Sequence, residues 1–177
     1  MDDENKGILT IIRIRFGWLL LGLIVSLFIS KYIHQFEEVL QENILVVTFI
    51  PLVVYLADAI GTQMESIIIR TCSRDIRFNF SKFFYKQMLI VLVLGILLGG
   101  LGILGSYLMY SEITVSLGLG FAIFIAAVSA LITGTIIPYL FWKLHKDPAE
   151  ASGPIATVIQ DSLSIMIYFA VFLIILG

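Results

Sequence analysis

The chain has 177 residues, of which 59% are hydrophobic and 14% are charged, and its mean hydropathy is +1.03. Ordinary soluble domains carry about 25% charged residues, so this composition excludes a soluble globular domain and indicates an integral membrane domain in a lipid bilayer. The net charge of -2 and a pI near 5.6 give no electrostatic basis for binding nucleic acid. The single cysteine, Cys72, excludes an intrachain disulfide.

Five apolar stretches are long enough to cross a membrane, which requires about 20 residues in a helix. In chain order they are residues 16–33, 44–69, 83–110, 113–142 and 154–177. Only Ser111 and Glu112 separate the third stretch from the fourth, so these two must form an antiparallel hairpin. Gly134 and Pro138 predict a kink in the fourth. The predicted fold class is an all-α membrane protein with five transmembrane helices per subunit, and residues 1–177 are expected to form one integral membrane domain.

The basic residues predict the orientation of these helices, because lysine and arginine are enriched in cytoplasmic loops. In a five-helix topology Lys31 falls on one side of the membrane. All other lysines and arginines fall on the opposite side, namely Lys6, Arg13, Arg15, Arg70, Arg74, Arg77, Lys82, Lys86, Lys143 and Lys146. The pattern predicts a cytoplasmic N-terminus and an exterior C-terminus. Cleavage of the first stretch as a signal peptide is disfavoured, because no A-x-A-like site follows Lys31.

Glycines recur in the third and fourth stretches. Small residues let transmembrane helices approach each other closely, and we expect these glycines to form packing faces. They are Gly95, Gly99, Gly100, Gly102, Gly105, Gly118 and Gly120.

Three carboxylates lie inside otherwise apolar stretches that contain no lysine or arginine: Asp58, Glu65 and Asp161. An ionisable group at membrane depth costs about 2.5–3.5 kcal/mol on insertion scales and usually has a function. Asp58 and Glu65 are seven residues apart, so in a helix they share a face and lie about 10 Å apart along the axis. The predicted depth of Asp161 falls between them. Three acids in stretches that contain no lysine or arginine predict a cation pathway.

Neutral oxygen donors accompany the acids. Thr62 and Gln63 follow Gly61 in the second stretch, and Thr157 and Gln160 precede Asp161 in the fifth. Hard divalent cations prefer oxygen ligands, and Mg²⁺ usually keeps several waters while it contacts one or two carboxylates. The predicted metal-site residues are therefore Asp161, Asp58, Glu65, Thr157, Gln63 and Thr62.

Two of the acids also have structural interpretations that stay open. Glu65 is close enough in sequence to Arg70 to form an ion pair near the membrane boundary. Asp58 fits a protonated carboxyl that forms a hydrogen bond between helices, since burial favours the neutral form.

Enzyme chemistry has no visible motif in the sequence. The chain contains no Ser-His-Asp arrangement, HExxH motif, P-loop or CxxC motif. The sequence therefore predicts a protein that is not an enzyme.

The fifth stretch carries a specific family motif. The sequence KDPAEASGPIATVIQD, from Lys146 to Asp161, is followed by Ile167-Tyr168-Phe169. It resembles the last transmembrane helix of MgtE magnesium transporters, whose pattern is D-P-A-x-x-S-x-P-x-x-T-x-x-x-D followed by I-Y-[FL]. Gly61-Thr62-Gln63 is similar to the end of the family's G-N-A-G-[ST]-Q motif in its second helix.

The resemblance implies a homodimer of five-helix subunits, in which helices two and five of both subunits line a central Mg²⁺ pore. Asp161 matches the pore acid of the family. The family's asparagine falls on Ala59, beside Asp58, so an acid is expected to replace a neutral ligand here. The chain matches the membrane domain without the cytosolic N and CBS domains, so gating by an internal Mg²⁺ sensor is not expected.

Three functions follow as expectations. The favoured one is a divalent cation channel or transporter, with Mg²⁺ as the transported ion and a carboxylate-lined pore at the homodimer interface. The first alternative is a Mg²⁺ exchanger coupled to Na⁺ or H⁺. The second is a membrane scaffold that does not transport, whose acids only form hydrogen bonds between helices. We expect a multi-pass protein of the cell membrane in each case.

Overall fold

The computed structural model describes residues 7–35, 44–74, 78–145 and 148–176, and these residues form five long α-helices. They are α1 (Ile8–His34), α2 (Ile44–Arg74), α3 (Phe80–Tyr110), α4 (Ile113–Lys143) and α5 (Pro148–Leu176). All five are long and apolar enough to cross a membrane, and the described residues contain no strand. The predicted five-helix membrane fold is confirmed. The orientation stays a prediction, and three residues of its charge pattern, Lys6, Arg77 and Lys146, lie outside the described residues.

Three helices begin earlier than the apolar stretches predict, and for α3 the difference is small, from residue 83 to Phe80. Helix α1 begins at Ile8 rather than at residue 16, and α5 begins at Pro148 rather than at residue 154. Hydropathy detects only the part of a helix that matches the hydrocarbon layer, whereas helical hydrogen bonds continue into the interfacial region. Proline at the first position of α5 favours a helix start there, because an N–H at that position would have no helical partner.

Helix α4 is at the centre of the bundle. It packs against α2, α3 and α5, while α2 also packs against α5 and α1 packs mainly against α5. Most of the buried residues of α4 are small, including Gly118, Gly120, Ala122, Ala126, Ala127, Ala130 and Gly134. Lipid provides no hydrophobic force between helices, so close packing of small residues is a main source of association. The composition of α4 therefore explains why three helices meet on it.

The predicted hairpin between the third and fourth helices is confirmed. Ser111 ends α3 in the left-handed region with φ of 59°, and its N–H donates to the carbonyl of Tyr107 at 2.8 Å. The hydroxyl of Ser116 donates to the carbonyl of Glu112 at 2.8 Å and closes the first turn of α4. Two residues therefore reverse the chain, which aligns α3 against α4 along their length.

Only some of the glycines have the predicted packing role. A Cβ atom on Gly99 would lie 2.8 Å from the carbonyl oxygen of Gly120, and a Cβ on Gly102 would lie 2.6 Å from Ile123. By contrast, a Cβ on Gly100 or Gly105 would meet no atom within 4 Å. The expectation was wrong for these two residues within the subunit, because both are exposed and line open grooves beside α4 rather than its contact with α3.

Helices α2 and α5 are joined by a hydrogen bond at one end of the bundle. The buried hydroxyl of Tyr168 donates to the main-chain carbonyl of Val46. Pro51 lies inside α2 and has no N–H, so the carbonyl of Val47, one turn earlier, receives no helical hydrogen bond from it. The Tyr168 contact therefore holds α5 against the turn of α2 that Pro51 weakens.

An aromatic cluster marks the opposite end of the bundle, where α3 begins and α4 ends. Phe80 stacks on Tyr139 with ring centroids 4.1 Å apart, and Tyr139 stacks on Trp142 at 5.8 Å. Exposed Lys82 and Lys143 lie at the same helix ends. Aromatic and basic residues are typical of a membrane–water interface.

We expect Gly99→Ala to destabilise the bundle and Gly100→Ala not to. The two residues are neighbours in α3 and gain the same helix propensity, but only the Cβ at position 99 meets a main-chain atom of α4. Overpacking of this kind costs about 1–3 kcal/mol. Thermal unfolding in detergent should give a lower Tm for Gly99→Ala alone, and equal Tm values would contradict the packing described here.

Candidate cation site

A narrow polar cavity lies between α2, α4 and α5, about midway along the helices. Its cavity volume is about 10 Å³, which is room for about one water molecule. Its walls are formed by Asp58, Gly61, Thr62 and Glu65 from α2, Thr133 and Gly134 from α4, and Ala156, Thr157 and Gln160 from α5. Polar side chains thus gather where the three most closely packed helices meet.

Helix α2 contributes one polar face to this cavity. Asp58, Thr62 and Glu65 are spaced four and three residues apart, which places them on the same side of a helix. The hydroxyl of Thr62 donates to the carbonyl of Asp58 at 2.9 Å. Because the hydroxyl proton is used within the helix, the oxygen lone pairs of Thr62 stay available to a cation or to its water.

Two glycines bring α2 and α4 into contact beside these side chains. A Cβ atom on Gly134 would lie 2.5 Å from the carbonyl oxygen of Gly61, so the two backbones touch directly. Both glycines are buried and line the cavity. This contact fixes the distance between α2 and α4 at the depth of the acids.

Helix α5 contributes Thr157, which is half-buried, and Gln160, which is only 2% exposed. The Gln160 side chain is bound to α4: its carbonyl oxygen accepts from the hydroxyl of Thr133. Its amide nitrogen lies 3.3 Å from the hydroxyl of Ser129 and 2.9 Å from that of Ser164. Gln160 is therefore held inside the subunit by hydrogen bonds, and its role as a neutral oxygen donor to an ion stays a prediction.

Asp161 is half-buried and close enough to Asp58 for the two carboxylates to repel each other. Neither carboxylate has a hydrogen bond or an ion pair with another residue in the described part of the chain. This geometry disfavours the interpretation of Asp58 as a hydrogen-bonded contact between helices. A cation near both carboxylates would offset their repulsion. The pairing of Glu65 with Arg70 stays a prediction.

The structure brings together most of the predicted site residues. Four of the six line the cavity, namely Asp58, Thr62, Glu65 and Thr157. Asp161 lies beside the cavity rather than in its wall, and Gln63 is exposed outside it. One residue corresponds to about 100° around a helix, so Gln63 cannot share the face of Thr62. Within the described ranges, no three His, Cys, Asp or Glu side chains come together as a metal-binding group.

Helix α4 contributes residues to the cavity that are not among the predicted site residues. Thr133 and Gly134 line the cavity, and Ser129 lies one turn earlier in the same helix. These small and polar residues interrupt an otherwise apolar stretch, which is a signal that the sequence contains. Their role depends on which face of α4 meets α5, and helical period alone does not specify that.

The cavity lies in the part of the chain that matches a known protein family. The family model of MgtE, described as a divalent cation transporter, matches residues 50–171. The chain belongs to the MgtE family. The matched range extends from α2 to α5 and includes every residue of the cavity. Its five helices, long and apolar enough to cross a membrane, fit a family described as divalent cation transporters.

Three curated MgtE relatives match most of the chain, and each is named a magnesium transporter. The protein of Bacillus subtilis is 28% identical over 159 residues, which is 89% of this chain and 35% of the relative. That of Enterococcus faecalis is 29% identical over 171 residues, or 96% of this chain and 38% of the relative. That of Thermus thermophilus is 26% identical over 160 residues, or 89% and 35%. The chain thus spans little more than a third of the length of these relatives.

We expect a cysteine at position 62 of this MgtE-family chain to react with a charged, membrane-impermeant methanethiosulfonate reagent, and a cysteine at position 135 to be protected. Thr62 lies at the mouth of the cavity, whereas Thr135 is fully buried in α4 and outside it. Thiol reactivity follows access to water, so the rates should differ by about tenfold or more. Thr62→Cys and Thr135→Cys would be compared in lipid nanodiscs on a Cys72→Ala background. Equal protection of both would indicate a dry, sealed site.

Proposed function

We propose that the chain forms the ion-conducting part of a Mg²⁺ transporter, in which Asp58 and Asp161 attract and hold the ion. The main support for this proposal is the pair of half-buried carboxylates on two different helices. They repel each other, and neither has a hydrogen bond or an ion pair with another described residue. Two unpaired acids at membrane depth are costly unless a cation or a proton balances them, and such acids usually have a function. The relatives named magnesium transporters support Mg²⁺ as that cation.

The neighbouring oxygens suit a hydrated ion. Mg²⁺ loses water reluctantly and is usually bound through one or two carboxylates while several waters remain. Thr62 and Thr157 provide hydroxyl oxygens, and Glu65 provides a further acid about two turns from Asp58 along α2. These groups would accept hydrogen bonds from the waters of the ion, so the protein need not surround it completely.

We propose a homodimer in which α2 and α5 of both subunits face the pore. Thr62, Gln63 and Ser66 are exposed on the surface of the single subunit, within the membrane-spanning part of α2. Contact of polar groups with lipid is unfavourable. A second subunit across a water-filled path would cover this surface, and it would place Asp161 from both subunits near one ion.

Passive entry is sufficient for such a transporter. A membrane potential of 100 mV contributes about 2.3 kcal/mol per elementary charge, and about twice that for a divalent ion. The potential alone therefore favours inward movement of Mg²⁺.

Asp161→Asn should reduce Mg²⁺ uptake into proteoliposomes by about tenfold or more, because loss of a desolvated charge at a binding site costs several kcal/mol. Glu112→Gln is the matched control: the same change is made at an exposed acid in the turn between α3 and α4, outside the cavity. Uptake by this control should equal that of the unmodified protein. Normal uptake by a stably folded Asp161→Asn variant would refute the role of Asp161.

Coupled exchange is the second candidate, and the interaction between Asp58 and Asp161 within one subunit favours it. Two carboxylates that repel each other can be balanced in turn by one Mg²⁺ or by Na⁺ or H⁺. Under this mechanism an opposing gradient would drive Mg²⁺ movement even where the membrane potential is zero.

An imposed Na⁺ or H⁺ gradient separates the two mechanisms. With the potential clamped by K⁺ and valinomycin, we expect the initial rate of Mg²⁺ uptake to be independent of either gradient. A rate that follows one of the gradients would establish exchange. A scaffold without transport would show no uptake under any gradient, and Mg²⁺ would not raise its Tm as a bound ligand does.

A further inference from the structure

Gln160 lies in the wall of the cavity, but its side chain is committed to hydrogen bonds inside the subunit. It is 2% exposed, and its partner Thr133 is 6% exposed. The bond between them connects α5 to α4 at a point 27 residues apart in sequence. Gln160 is adjacent in sequence to Asp161. Fixing the Gln160 side chain against α4 therefore also constrains the direction in which Asp161 leaves the helix.

Three hydrogen bonds hold the Gln160 side-chain amide, two through its nitrogen and one through its oxygen. The hydroxyl of Ser164 donates to the main-chain carbonyl of Gln160 at 2.8 Å and accepts from its amide nitrogen. The hydroxyl of Ser129 donates to the carbonyl of Ala126 at 2.8 Å and accepts the second amide hydrogen. Thr133 supplies the donor for the amide oxygen. With both amide hydrogens and the amide oxygen paired, the network favours a single arrangement of α5 against α4.

The rotation of α5 about its own axis follows from this arrangement. At about 100° per residue, Asp161 is one step around the helix from Gln160, and Thr157 is close to Asp161 in angle because it is four residues away. When Gln160 is fixed toward α4, Thr157 lines the cavity and Asp161 approaches Asp58. A rotation of α5 would move both oxygen donors together.

We infer that Gln160 and Thr133 form a positioning pair, which sets the rotation of α5 and thereby the geometry of the ion site, without contacting the ion. The transport part of this inference rests on the proposed function, whereas the positioning itself does not. Its consequence is that loss of the pair weakens ion binding while the helices remain assembled through their glycine contacts.

Thr133→Val tests this inference, with Thr135→Val as a matched control. Both residues are buried threonines in α4, and both substitutions keep the shape of the side chain. The hydroxyl of Thr135 bonds only to main-chain carbonyls of its own helix, at 2.6 Å to Leu131 and 3.4 Å to Ile132. We expect Thr133→Val to raise the KM for Mg²⁺ uptake about threefold, the effect of losing one average interhelical hydrogen bond in a membrane. The maximal rate should change less, and Thr135→Val should leave the KM unchanged.

Gln160→Met removes all three side-chain hydrogen bonds with little change in volume and should raise the KM further. Combined with Thr133→Val it should have no larger effect than alone, because the two residues act through the same bond. Additive effects would contradict the pairing.

A second measurement does not depend on transport. The rate at which a cysteine at position 157 reacts with the charged thiol reagent should change about threefold or more when Thr133→Val is added, and it should not change with Thr135→Val. The experiment uses Thr157→Cys on the Cys72→Ala background. If the rate changes but the unmodified protein moves no Mg²⁺, the positioning stands and the proposed function fails. If Thr133→Val and Thr135→Val are indistinguishable in both the KM and the rate, the positioning pair is refuted.

Discussion

The structure depends on the cost of leaving a polar group without a partner in a low-dielectric membrane. The polar side chains near the cavity fall into two groups under this constraint. Gln160 and Thr133 are buried and paired within the subunit. Asp58 and Asp161 are half-buried and have no partner in the described part of the chain. The first group can hold helices together because it is satisfied, and the second can bind an ion because it is not.

Small residues give this separation its geometry. The contact of Gly61 with Gly134 lets α2 approach α4 without a side chain between them, and Gly99 and Gly120 do the same for α3 and α4. Since α4 also carries Thr133, one helix fixes the spacing of α2 and the rotation of α5. The two helices that carry the acids are therefore positioned by a third helix that carries none.

The helices and one face of the site were predictable from the sequence, because each depends on a local period. Hydropathy located five membrane-spanning helices, and the spacing of Asp58 and Glu65 placed them on one face of α2. Features that depend on which helix lies opposite were not predictable in this way. The sequence predicts Gln63 as a metal ligand together with Thr62, although Gln63 lies about 100° around the helix from it. It also predicts a packing role for Gly100, although a Cβ there would meet no atom within 4 Å. The pairing of Gln160 with Thr133 needs the register of α5 against α4, which no local pattern encodes.

Because Asp58 and Asp161 lie on two separate helices, ion binding between them would be thermodynamically linked to helix packing. If the packing of α5 against α4 sets the affinity for the ion, then by linkage a bound ion must stabilise that same packing by an equal free energy. An ion between Asp58 and Asp161 would hold α5 in the rotation that the Gln160 network already favours, so the two effects support each other. Glu65, on the same helix as Asp58, would add charge along the proposed ion path, but its position does not depend on the rotation of α5. The coupling between helix packing and ion affinity therefore rests on Asp161, the acid adjacent in sequence to the residue that anchors its helix.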